Sequence, residues 1–177
     1  KTLNKAIGLA KGKYISYIGS DDIMLQDKTA KQVSYMESRP DVAVCGGNII
    51  VIDPSGNKRT ERKPSPYREL DFDDIFVGLN PGIAAPTAMM RKDVLDKEGG
   101  YDPEIALEDI YMWLKLTSQG HIIAGLDSVL LYYRKHPSNT YKNYLYMVDN
   151  LLKSYAPYRD HPQYESVVNR MLISNFV

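Results

Sequence analysis

The sequence has little of several features that define particular protein classes. It contains one cysteine, Cys45, so no internal disulfide can form and a reducing compartment is expected. Lysine plus arginine equals aspartate plus glutamate at 22 each, which gives a formal net charge of zero. A general nucleic-acid-binding domain usually carries a clear basic excess, so this balance argues against that class.

Long apolar runs are also missing. The most apolar stretch, Val42–Ile52, is interrupted by glycine and asparagine, whereas a membrane-spanning helix needs about 20 mostly apolar residues. The chain opens at Lys1 with neither an initiator methionine nor a signal-peptide pattern. We therefore interpret it as a fragment of a longer protein, or as a protein whose beginning is not included.

What is present is an alternation of strand-like and helix-like segments. This alternation predicts an α/β fold with a largely parallel sheet. Strands are expected at residues 13–18, 42–53, 58–63, 84–90, 121–125 and 128–133, and helices at 1–11, 27–38, 69–78, 91–98, 108–119 and, in two pieces, from 141 onward.

An acidic pair, Asp21-Asp22, directly follows the first predicted strand. In open α/β sheets, ligands bind beyond the carboxyl ends of the strands. Two carboxylates at such a place could hold a divalent cation, and the cation could bind a diphosphate. The alternative is that the pair only turns the chain and caps the next helix.

A second acidic pair, Glu108-Asp109, opens a later helix. Carboxylates are favoured in the first turn of a helix by its dipole, which is a sufficient structural explanation for the pair. The functional alternative is that Asp109 acts as a general base on an acceptor hydroxyl.

The two acidic pairs belong to a longer ordered set of segments. In chain order these are Asn4-Lys5-Ala6-Ile7, Ala10-Lys11-Gly12-Lys13-Tyr14-Ile15, Ile18-Gly19-Ser20-Asp21-Asp22, Pro86-Thr87-Ala88-Met89-Met90-Arg91, Gly99-Gly100-Tyr101-Asp102, Leu107-Glu108-Asp109, Trp113-Leu114-Lys115-Leu116 and Tyr132-Tyr133-Arg134-Lys135-His136. No single element is specific, but the ordered set resembles the family 2 glycosyltransferases, which have the GT-A fold, over about residues 1–143.

The resemblance implies a bound divalent cation, Mn²⁺ or Mg²⁺, and a nucleotide-sugar donor, here expected to be UDP-linked. Asp21 matches the final carboxylate of the family's DxD motif and would bind the metal and the donor diphosphate. Asp22 would support Asp21 in this role or contact the donor. His136 falls where some relatives supply another metal ligand, the alternative being a loop histidine. Asn4 is assigned to the donor site.

The resemblance also implies an inverting reaction in which Asp109 is the catalytic base and Glu108 orients the acceptor. Trp113 is assigned to the acceptor pocket, with buried packing as the alternative. The implied acceptor is a saccharide or a lipid-linked saccharide used in bacterial surface-polysaccharide synthesis, with no nucleic-acid partner. The implied location is the cytoplasm, with peripheral association at the inner face of the cytoplasmic membrane.

Two departures from the family pattern are visible. Gly19 stands where the family has the first aspartate of the DxD motif. The family's first βαβ nucleotide-binding segment is also not found before Lys1. The expected architecture is therefore a partial GT-A domain over residues 1–140, a mixed and mostly parallel sheet flanked by helices, followed by a C-terminal helical extension over 141–177.

Two other functions remain open on the sequence alone. One is a catalytically inactive glycosyltransferase-like binding module, which Gly19 slightly favours and the intact Glu108-Asp109 pair disfavours. The other is a nucleotidyltransferase of related α/β architecture.

Overall fold

A computed structural model describes residues 2–59, 63–136 and 144–176 of the chain. Seven helices and six strands are described in these ranges, and two short 3₁₀ turns lie at Ala85–Thr87 and Ala156–Tyr158. The helices are α1 (Thr2–Leu9), α2 (Lys28–Ser38), α3 (Phe72–Phe76), α4 (Lys92–Lys97), α5 (Glu108–Ser118), α6 (Tyr144–Tyr155) and α7 (Tyr164–Phe176). The strands are β1 (Tyr14–Ser16), β2 (Ile23–Met24), β3 (Val42–Ile52), β4 (Arg68–Leu70), β5 (Met89–Arg91) and β6 (Ile122–Arg134).

The strands form one mixed sheet in the order β1-β5-β3-β6-β2, with β4 also paired to β6. The α/β class and the mixed sheet are confirmed, but the expectation of mostly parallel pairing is wrong for the described strands. Only β3 and β6 pair in parallel; the other four pairings are antiparallel. The physical reason is the position of β5, which lies between β1 and β3 and runs opposite to both. Strands β1, β3 and β6 do share one direction, as the alternation predicted.

Several element boundaries differ from the sequence prediction because tertiary contacts override local pattern. The predicted helix at 69–78 begins as strand β4, and α3 starts only where Asp71 caps it by accepting a hydrogen bond from the Asp74 amide. The predicted strand at 84–90 starts with a 3₁₀ turn containing Pro86. The two strands predicted at 121–133 are one continuous strand, because β6 pairs along its length with β3.

The predicted hairpin return at 58–63 is confirmed where it is described. Lys58 forms an antiparallel bridge with Ile52, and the Arg59 amide donates to the Val51 carbonyl at 2.9 Å. Residues 60–62 of that prediction lie outside the described residues.

Consecutive residues of the central strands pack into cores on opposite faces of the sheet, as the two-residue period of a strand requires. Val44, Met90 and Ile123 join the larger core, under α3 and α5. Their sequence neighbours Cys45, Met89 and Ala124 join the smaller core, under α2. Burial raises the pKa of the Cys45 thiol to about 11, as expected for an inert core cysteine.

The last two helices, α6 and α7, also pack into the larger core. Tyr155 from α6 and Val167 and Met171 from α7 are buried in the larger core. The expected helical character of this region is confirmed for residues 144–176, although the domain boundary at 140/141 stays a prediction. None of the helices in the described ranges is long and apolar enough to cross a membrane.

Gly82 offers a test of how tightly the larger core is packed. Its φ is +78°, and an added Cβ would lie 2.5 Å from Trp113 Cδ1, on a side chain that is fully buried. We expect Gly82→Ala to lower the free energy of unfolding by about 1–3 kcal/mol more than Gly56→Ala. Gly56 is the matched control because its φ is +92° and no atom lies within 4 Å of its added Cβ. Equal losses in urea unfolding would show that the Trp113 contact is loose.

Candidate active site

Two acidic pairs from distant parts of the chain line one open cleft. Asp21 and Asp22 follow β1, and Glu108 and Asp109 begin α5. The cleft has a volume of about 670 Å³, and His136, just beyond the end of β6, also lines it. The structure therefore brings together every predicted site residue except Asn4 and Trp113.

Asp21 is held to the end of β6 by two contacts. A ring nitrogen of His136, Nε2, lies 3.0 Å from Asp21 Oδ2, and Arg134 Nε donates to the Asp21 carbonyl at 2.8 Å. Both side chains of the Asp21–His136 pair are partly exposed, at 40% and 32%. A carboxylate and an imidazole therefore face the cleft side by side, where solutes can reach them.

Asp22 is tied to the same strand end. Its Oδ1 accepts a hydrogen bond from the Arg134 backbone amide at 2.9 Å. Burial raises the pKa of Asp22, and the neighbouring Asp21 carboxylate adds to that rise. Arg134 Nη1 also donates to the carbonyls of Asp53 and Pro54. Arg134 thus fixes the acidic loop to the end of β3; it was part of the sequence pattern, but no role was predicted for it.

Glu108 and Asp109 lie in the first turn of α5, where the helix dipole favours negative charge. Asp109 Oδ1 accepts a hydrogen bond from the Ile110 amide at 2.7 Å. Burial nevertheless raises the pKa of both carboxyls, and the charge of Asp109 adds to the rise at Glu108. A carboxylate with a raised pKa in a cleft has the properties required of a general base.

The loop before α5 is fixed by Asn150, which the sequence analysis did not identify. This side chain is 3% exposed, and its Oδ1 accepts a hydrogen bond from the Ala106 amide at 2.7 Å. Its Nδ2 donates to the Tyr146 carbonyl within α6. No sequence signal indicates this contact, because the two residues are 44 positions apart and Asn150 resembles an ordinary helix residue.

Asn4 does not line the cleft, and its assignment to the donor site stays a prediction. Asn4 Nδ2 donates to the Tyr101 carbonyl at 2.7 Å, and Asn4 Oδ1 accepts from the Tyr101 amide at 2.9 Å. Both ends of its side-chain amide therefore bond to one backbone segment, joining α1 to the chain after α4. A Cβ on Gly100 would lie 2.8 Å from Asn4 Oδ1, so glycine makes this approach possible.

Trp113 is likewise not at the cleft. Its side chain is 0% exposed and packs beside Gly82 in the larger core. It lies one turn beyond Asp109 on α5 and is fully buried, which supports the packing alternative over the acceptor contact. Among the residues that the structure describes, none accepts a hydrogen bond from its buried indole Nε1.

The acidic and histidine side chains of the cleft can be tested for their fit to a divalent cation. Within residues 2–59, 63–136 and 144–176, no three His, Cys, Asp or Glu side chains are arranged to hold a metal ion by themselves. Asp21 and His136 nevertheless place a carboxylate oxygen and an imidazole nitrogen side by side. Mg²⁺ and related ions are commonly bound by one or two carboxylates together with substrate phosphates. The residues fit a cation that shares its coordination with a diphosphate.

Gly19 lines the cleft close to both carboxylates of the loop. An added Cβ would lie 2.9 Å from Asp22 Oδ2 and 3.1 Å from Asp21 Oδ1. Any side chain here would displace one of these carboxylates from its present position. The present positions of the two carboxylates therefore depend on glycine at the position where the family pattern has an aspartate.

Solved structures share this fold. The chain superimposes on S. aureus TarS residues 1–349, solved in complex with UDP-GlcNAc, with a TM-score of 0.60, 16% identity, and coverage of 86% of this chain and 46% of that one. It matches the mannosyltransferase PcManGT from Pyrobaculum calidifontis, solved with GDP-Man and Mn²⁺, with a TM-score of 0.62, 14% identity, and coverage of 94% and 46%. The fold is therefore that of the GT-A glycosyltransferases.

Sequence comparisons assign the family. The model described as Glycosyl transferase family 2 matches residues 1–99. The amylovoran biosynthesis glycosyltransferase AmsE of Erwinia amylovora is 32% identical over 133 residues, covering 74% of this chain and 48% of that protein. The O-antigen biosynthesis glycosyltransferase WbnJ of Escherichia coli is 31% identical over 145 residues, covering 81% and 56%. The chain belongs to glycosyltransferase family 2, and it spans about half the length of the curated relatives it matches.

Proposed function

We propose that the protein carrying this chain transfers a sugar, with inversion, from a nucleotide-diphosphate sugar to an acceptor hydroxyl. The observation that carries the proposal is the meeting of the Asp21–Asp22–His136 group and the Glu108–Asp109 pair in one cleft of about 670 Å³. An inverting transfer needs a diphosphate site and a base at the two ends of one reaction axis, and the cleft offers groups suited to each.

In the proposed reaction, the acceptor oxygen attacks the anomeric carbon and forms the new glycosidic bond. The bond between that carbon and the diphosphate oxygen breaks, and its electron pair leaves with the nucleoside diphosphate. Asp109 takes the acceptor proton, and Glu108 orients the acceptor. Asp21 and His136 would hold the divalent cation, with Asp22 supporting the loop; a bound cation supplies positive charge that stabilises the departing diphosphate.

The substrates and the cellular location of the protein are proposed from the names of its relatives. One relative is named a UDP-Glc:α-D-GlcNAc-diphosphoundecaprenol β-1,3-glucosyltransferase, and it is 28% identical over 165 residues. We therefore propose a UDP-linked donor and a saccharide or lipid-linked saccharide acceptor in cell-surface polysaccharide synthesis. Such an acceptor would place the protein in the cytoplasm, at the inner face of the cytoplasmic membrane.

The reaction class can be tested with the complete gene product. Hydrolysis and transfer would be measured for a panel of UDP-, GDP- and dTDP-sugars with Mn²⁺, Mg²⁺ or EDTA. We expect metal-dependent consumption of one donor, with release of its nucleoside diphosphate. Release of pyrophosphate from a nucleoside triphosphate and a sugar phosphate would instead indicate a nucleotidyltransferase. A folded protein that turns over no donor in the presence of saccharide and lipid-linked acceptors would indicate an inactive binding module.

A further inference from the structure

A second cavity lies directly behind Asp109. It has a volume of about 320 Å³, and Leu107, Asp109 and Met147 line both it and the cleft. The two spaces therefore adjoin at the proposed base. A cavity of this size is at the lower end of the range that small-molecule sites occupy.

The wall of this second cavity is mainly apolar. Ile110 from α5, Leu151 from α6 and Met171 from α7 contribute to it. Asp109 is the one carboxylate among its lining residues. A ligand there would gain free energy by burying hydrocarbon and would present its polar part toward Asp109.

Leu79, in the chain after α3, completes the wall in a strained backbone conformation. Its φ is +52°, and no other non-glycine residue in the described ranges has a positive φ. Neighbouring contacts fix it: the Asn80 amide donates to the Asp74 carbonyl, and Asn80 Oδ1 accepts from the Gly82 amide at 3.0 Å. Strained residues persist where the surroundings hold them, and they cluster at binding sites.

We propose that this cavity is an acceptor subsite that takes an apolar aglycone, an alkyl or acyl group attached to the acceptor sugar. The inference rests on the proposed function and adds to it the place where an apolar group of the acceptor binds. An acceptor whose hydroxyl lies at Asp109 has the rest of its structure next to the cavity, because Asp109 also lines that cavity. The apolar wall selects hydrocarbon over a polar saccharide extension at that point.

The test compares two acceptors that differ only in the aglycone, a methyl and a hexyl glycoside of one sugar, using the complete gene product. Each buried methylene improves binding about four-fold, so we expect kcat/KM for the hexyl glycoside to exceed that for the methyl glycoside by roughly tenfold or more. Leu151→Phe narrows the cavity and should lower this ratio several-fold. Leu145→Phe is the matched control, because Leu145 lies on the same helix, is 77% exposed and does not line the cavity.

Leu79→Gly gives an independent readout if Leu151→Phe folds poorly. Glycine tolerates the positive φ, so the backbone is relieved while the wall is removed. We expect a folded protein with a several-fold lower hexyl-to-methyl ratio. A ratio near one in an active wild type, or an unchanged ratio in both cavity variants, would overturn the subsite and leave the proposed function intact. Failure to turn over any donor would overturn both.

Discussion

Replacing Asp109 with asparagine is expected to lower transfer by about 10²- to 10⁴-fold, because proton abstraction by a positioned base contributes that much to rate. Asparagine keeps the shape of the side chain and can still accept the Ile110 amide hydrogen bond, which is 2.7 Å in the wild type. Only the ability to take a proton is removed. The measurement is kcat/KM for the acceptor at saturating donor and metal.

The control is Asp93→Asn. Asp93 also lies in the first turn of a helix, α4, and its Oδ1 accepts the amide of the next residue, Val94, at 2.9 Å. It is exposed and does not line the cleft. We expect this variant to transfer at the wild-type rate. Retention of more than about a tenth of the transfer rate by Asp109→Asn would assign the base to another group.

The thermal stability of Asp109→Asn should be unchanged or higher, although its activity falls. Burial raises the pKa of Asp109 above its ordinary 3.8, so the folded state disfavours the charged form. A raised pKa stabilises the fold below the unfolded pKa, and this contribution is lost as the pH rises through the folded pKa. At pH 7 we therefore expect Asp109→Asn to melt at the same temperature as the wild type or higher, with any gain disappearing below pH 3.8.

Replacing Asp21 with alanine should lower metal-dependent turnover by on the order of 10²-fold or more, because a charge-stabilising group at the leaving diphosphate is weakened. The side chain is 40% exposed and contacts His136 Nε2 at 3.0 Å, so the fold should tolerate the change. The measurement is turnover as a function of Mn²⁺ concentration, together with Mn²⁺-dependent binding of the free nucleoside diphosphate.

Asp127→Ala is the matched control, since Asp127 is an exposed aspartate of β6 that does not line the cleft. The two site variants should also differ from each other. Asp109→Asn should keep Mn²⁺-dependent nucleotide binding, and Asp21→Ala should lose it. Wild-type metal dependence in Asp21→Ala would remove Asp21 from the cation site.

The sequence predicted the acidic part of the site because its position follows from local rules. Asp21 and Asp22 come straight after a strand, and Glu108 and Asp109 start a helix, so their locations depend little on long-range packing. The meeting of the two pairs came from the family resemblance alone. Asn4 and Trp113 were assigned to the site by the same resemblance, but their contacts in the structure, with Tyr101 and beside Gly82, depend on tertiary packing.

Buried polar residues were the other feature that sequence reasoning missed. In α2 the structure buries the polar side chains of Lys28 and Gln32 together with Met36. Lys28 Nζ donates to Ser16 Oγ at 2.8 Å, and burial lowers the pKa of the amine. Gln32 Nε2 donates to the carbonyls of Cys45 and Thr87. The burial of these nitrogen donors depends on acceptors supplied by other elements, which no helical periodicity encodes.

Asp109 lines both the cleft and the second cavity, and this has a consequence for how the protein can change in evolution. The hydrocarbon that surrounds the carboxyl sets its affinity for a proton, and the same hydrocarbon contacts whatever enters the cavity. A substitution that opens the cavity to water would admit a more polar molecule and would also make the carboxyl a weaker base. Lineages that acquire a new acceptor by this route should therefore also show a shifted acid limb in their pH–rate profile.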